Sequence, residues 1–258
     1  MNKGNFIIKP VVYLVLLIYI PVTYTVLAME NKVIAALVPE DHFFEIIGAS
    51  SLFVTSLLFL YGFGVARKSL EKTWVSLIKQ LVYLGLAFLL FFGAGEEISW
   101  GQRIFGFQTP QSLAQVNKQD ELNLHNLSIL ENSKFFTADR LFDAFWFLFA
   151  VFTPAIALLL PAFRRFAGKF IPIVYWGIGL LFLYNYLWAK AAKLLYGASY
   201  VFDNLSLTQA TQEIKESNYA LVFILVGLFA ILDLNTPKDH NALPLKNGTV
   251  QIGPAFHD

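Results

Sequence analysis

Glu96 and Glu97 stand side by side where an almost unbroken apolar run, Leu81 to Gly95, comes to its end, and Ser99, Trp100 and Arg103 follow at once. A carboxylate near the hydrocarbon costs about 3 kcal/mol and marks a functional position by default, so the fold must give this pair partners. Two carboxylates sharing one cavity divide into an acid and a base. Glu96, Ser99 and Arg103 are spaced i, i+3, i+7, one stripe of a helix continuing to Arg103, with Glu97 on the side of Trp100 and Gly101. Further on, the run Glu121-Leu122-Asn123-Leu124-His125-Asn126 offers a histidine between two amides, with Glu121 four residues before it on the same helical face. Glu45 lies a turn inside another apolar segment, three residues after His42.

Those residue types assign roles. Glu96 or Glu97 is expected to serve as general base, His125 as its acid–base partner, and Arg103 to hold an anionic group. Trp100, Asn126, Asn185 and Lys190 complete the expected substrate contacts. Glu45, Glu97, Glu121 and His125 form a nitrogen-and-oxygen set suited to a divalent metal such as zinc, although no compact metal signature is present. Ser99 has no nucleophile-elbow sequence around it. With no cysteine, the chain has no disulfide, thiolate or iron–sulfur chemistry. Neither a phosphate-binding Gly-rich loop nor a basic stripe for nucleic acid is found.

The elements that must position these residues are membrane helices. Hydrophobic residues make up 57% of the chain and charged ones only 14%, against about 25% in soluble domains. Crossing the hydrocarbon takes about 20 apolar residues. Six segments qualify: 11–29, 43–66, 77–98, 141–163, 171–189 and 218–234. The first is read as an uncleaved anchor; Pro154 should kink the fourth, and Pro172 opens the fifth. The reading is an all-α bundle in one domain, residues 1–234, with an interfacial helical segment between spans three and four. A loose tail, 235–258, follows. Residues 199–217 read as a loop of no evident role.

Arg67, Lys68 and Lys72 occupy one short connection and Arg164, Arg165 and Lys169 another, so both are expected to be cytoplasmic, as are both termini. Glu45, Glu96, Glu97, Asp143, Asn185 and Lys190 then gather at the extracytoplasmic end. Gly95–Arg103 and Asn123–Asn126, with the acidic start of span two, resemble a group of bacterial multi-pass membrane proteins of unassigned function, over residues 39–130. That resemblance implies a bacterial inner membrane and no particular activity. A distant similarity to the CPBP intramembrane proteases rests on paired glutamates followed by arginine. Here five residues separate Glu97 from Arg103 where that family has three, and Glu121 replaces its Phe before His125.

The expected function is a membrane-embedded hydrolase or transferase acting on a lipid or lipid-linked substrate. Two other classes fit the same residues. A structural subunit would use the acids to dock another membrane protein, and a cation or proton pathway would need polar residues through the inner halves of the spans, which are mostly apolar.

Overall fold

A computed structural model describes residues 3–39, 42–69, 72–117, 122–124, 137–196, 201–202 and 205–235. Glu121, His125, Asn126, the Arg103 side chain and the tail lie outside the described residues. The fold is an all-α bundle. Its helices are α1 (Lys3–Tyr24), α2 (Asn31–Leu37), α3 (Phe43–Ser69), α4 (Trp74–Glu97), α5 (Gln102–Phe105) and α6 (Gln111–Ala114). After the second half of the connection come α7 (Ala138–Trp146), α8 (Thr153–Leu159), α9 (Pro161–Ala167), α10 (Trp176–Tyr196) and α11 (Leu207–Asn235). A π-helical stretch, Phe147–Phe152, joins α7 to α8 as one rod.

Five helical stretches are long and apolar enough to cross a membrane: Pro10–Ala28, Phe43–Lys68, Trp74–Glu97, Arg140–Leu159 and Leu207–Leu234. This is the make-up of a multi-pass integral membrane protein. The expected fifth span is a helix of sufficient length, α10, but it is not among the five. Tyr184, Asn185, Tyr186, Lys190 and Lys193 dilute its apolar character. It also starts later than expected, at Trp176: Pro172 disfavours helix in the residue before it, and 172–175 has no regular secondary structure.

Helices α3, α4 and α11 pack closely, α3 lying against both of the others. A Cβ added to Gly48 would touch the backbone of Ser217, and one on Gly227 would press on Leu58, so α3 and α11 run parallel. Ser56 donates to the Ala87 carbonyl and Gly62 abuts the Tyr83 ring, which sets α4 antiparallel to α3. Small residues at these crossings let the backbones approach, the usual means of association where lipid removes the hydrophobic drive. The Tyr83 hydroxyl donates to the Ala230 carbonyl, so one side chain ties α4 to α11 across α3.

Two differences from the sequence reading have local causes. The last span begins eleven residues early, at Leu207 rather than 218, because Ser206 and Gln209 form a capping box. Each backbone N–H is held by the other's side chain. The fourth span ends at Leu159, where extended Leu160 precedes Pro161 and the chain turns into α9. Before that break, Pro154 has no N–H to offer the Ala150 carbonyl, and the rod relaxes into its π register, with Thr153 turned to Leu148 instead.

Candidate functional site

Helix α4 stops at Glu97, and the reason lies in the next four residues. Ser99, Trp100 and Gly101 all have left-handed backbone, with φ of 45°, 54° and 76°. Only glycine takes that conformation without cost, so Ser99 and Trp100 must be held there by their surroundings. The expected stripe of Glu96, Ser99 and Arg103 on a continuous helix is therefore broken. The bend also reverses the pairing read from sequence: Trp100 turns to Glu96, not Glu97, and its indole N–H donates to Glu96 Oε1 at 2.7 Å. Gly95 makes that possible, since a Cβ there would sit 2.8 Å from the indole ring. Phe91 and Phe92 close on the other edges of the ring, with centroids at 6.2 and 5.4 Å.

The second oxygen of Glu96 reaches the long connection. Leu124 N–H donates to Glu96 Oε2 at 2.6 Å. Glu96, only 6% exposed, thus joins the two motifs singled out in the sequence. Around it runs a net of amides. Asn123 donates from Nδ2 to Ser99 Oγ at 3.1 Å, and Asn117 Nδ2 donates to the Asn123 carbonyl and side-chain oxygens at 2.9 and 3.0 Å. Leu122 N–H donates to Gln102 Oε1 at 2.6 Å, and Gln102 Nε2 donates to Thr109 Oγ1 at 2.8 Å. The described connection is folded by these side chains and by the short helices α5 and α6, with α6 starting after Pro110.

Sequence reasoning passed over Asn117, Asn123 and Gln102 as agents of this closure. The available signal was their placement: amides bracketing the two motifs, in a connection long enough to need its own internal support.

Glu97 is half-buried beside this closure. Glu45 is buried in the first turn of α3. Among the described residues no three His, Asp or Glu side chains gather as a metal would require, and Glu121 and His125 fall outside them.

Asn185 and Lys190 are not brought to the Glu96 closure by any contact observed. Asn185 is fully buried in a second polar centre joining four segments of the bundle. Its side-chain oxygen accepts from the Tyr24 hydroxyl at 2.9 Å and from Asn218 Nδ2 at 3.1 Å, and its Nδ2 donates to the Lys215 carbonyl at 2.9 Å. Asn218 Nδ2 also donates to Thr23 Oγ1 at 2.9 Å. Beside this network the Lys215 ammonium, on a residue 8% exposed, lies 3.4 Å from both oxygens of Asp143. Trp146 Nε1 donates to the same carboxylate at 2.9 Å. Lys190 is exposed, over the Tyr186 ring at 5.2 Å. Lys215 lies on α11 and not in the loop expected over 199–217. The periodicity of Leu207, Ala210, Ile214 and Asn218, all buried, was the missed signal.

Comparison with protein-family models, curated proteins and solved structures found no match. The site is read from its own chemistry.

Proposed function

We propose that this chain is a membrane-embedded hydrolase or transferase acting on a lipid or lipid-linked substrate at the bundle end that holds Glu96 and Glu97. The observation that carries the reading is the double engagement of Glu96, whose two oxygens fasten Trp100 and Leu124. A buried carboxylate committed to two donors is a positioning group, which leaves proton transfer to Glu97, one residue on. His125, the residue after Leu124 in sequence, is the assigned partner acid–base, and Arg103 the anchor for an anionic group. The left-handed strain at Ser99 and Trp100 supports this, since such strain collects at functional sites.

The test is turnover of bacterial lipid extract in vesicles by purified protein, with products read by mass spectrometry. Glu97→Gln and His125→Ala should each lower turnover about 100-fold or more, the contribution of a positioned general acid or base. Thermal stability should hardly change. Product formation indifferent to both substitutions, or no product at all, would count against the enzyme. Metal content of the wild type, measured alongside, separates metal-assisted from metal-free chemistry. Docking to another membrane protein is the second reading, supported by Ile104 and Phe105, which are strongly exposed on α5 beside the closure.

A further inference from the structure

A different opening lies at the other end of the bundle. Because Leu160 breaks the rod before Pro161 and residues 172–175 form no helix, a hollow of about 400 Å³ remains between α8, α9, residues 173–175 and the end of α11. That volume lies within the ~300–1,000 Å³ typical of ligand sites. Its walls are polar and apolar in about equal part: Phe229 and Leu232 come from α11, Trp176 opens α10 and Tyr175 immediately precedes it. Tyr175 stands 6.2 Å from Phe229 and 5.8 Å from Trp176, centroid to centroid. Two opposite charges line the same hollow, Arg164 and Asp233. Among the described residues neither makes a salt bridge or side-chain hydrogen bond.

We infer that this hollow seats the headgroup of a zwitterionic, amine-bearing phospholipid, with its phosphate on Arg164 and its ammonium on Asp233. An anionic lipid would satisfy only the arginine and would bring its phosphate towards the Asp233 carboxylate. A guanidinium matches phosphate oxygens with a fork of donors, and a primary ammonium gives the exposed Asp233 carboxylate charge-assisted hydrogen bonds. Aromatic side chains at the rim suit headgroup depth, and the apolar wall of α11 continues the path of an acyl chain. Arg165, next in sequence, is not part of the lining.

Native mass spectrometry of the delipidated full chain, titrated with phosphatidylethanolamine or phosphatidylglycerol, tests this. Phosphatidylethanolamine should bind about tenfold more tightly, one charge-assisted hydrogen bond's worth of discrimination. Asp233→Asn should erase that preference, and Arg164→Gln should weaken both lipids. Arg165→Gln, at a position also exposed and on the same short helix, should behave as wild type. Equal or tighter binding of phosphatidylglycerol by the wild type, or a preference that survives Asp233→Asn, overturns the assignment. The readout is equilibrium binding, so a failed turnover screen at Glu97 leaves it standing.

Discussion

Glu96, itself buried, places one oxygen on an indole N–H and the other on a backbone N–H. That arrangement makes the charge of Glu96 part of the fold. Glu96→Gln keeps one acceptor and turns an NH2 towards a donor, so one of the two part-buried bonds is lost and an N–H is left facing a like group. The expected cost is about 1–3 kcal/mol, seen as a lower melting temperature in detergent. Glu97→Gln, at a half-buried position, should cost less than half of that. An equal loss from both substitutions would remove the distinction between positioning and reacting carboxylates on which the functional reading depends.

At the level of elements, the junction of the broken fourth span with α10 decides how the bundle closes. Pro154 leaves the Ala150 carbonyl without its helical donor, and that carbonyl faces Gly179 on α10 so closely that an added Cβ would overlap it. The glycine's hydrogens approach the oxygen instead, a contact that recurs at helix crossings. Gly179→Ala should therefore force α10 away and destabilise the protein by about 1–3 kcal/mol, as overpacking does. Pro154→Ala should be milder, because it restores an N–H that the π stretch can use. If Gly179→Ala melts like the wild type, the close approach does not hold the crossing together.

Across the whole molecule, the polar residues divide into two centres with different tasks. One folds the connection after α4; the other links α1, α7, α10 and α11 through Thr23, Tyr24, Asp143, Asn185, Lys215 and Asn218. Buried ion pairs hold little net stability but are costly to break from one side. Lys215→Met should cost about 2 kcal/mol, below the ~3–5 kcal/mol of fully buried pairs, since the Asp143 side chain is 34% exposed. Adding Asp143→Leu to Lys215→Met should recover much of that loss. Additive losses in a double-mutant cycle would mean the two charges do not interact.

Composition and periodicity were enough for the membrane class and the all-α fold, because about 20 apolar residues in a row have few alternatives to a membrane helix. The two motifs, Gly95–Arg103 and Asn123–Asn126, were also legible as places of interest, since buried acids and amides demand partners. Which carboxylate takes which partner was not legible. It depends on three left-handed residues whose conformation is enforced by an indole, a glycine and a segment some twenty-five positions away, and no local pattern encodes such a bend. The start of α11 was lost for a related reason. Its polar residues look like loop until α3 and α10 pack on them and make burial, not composition, the deciding property.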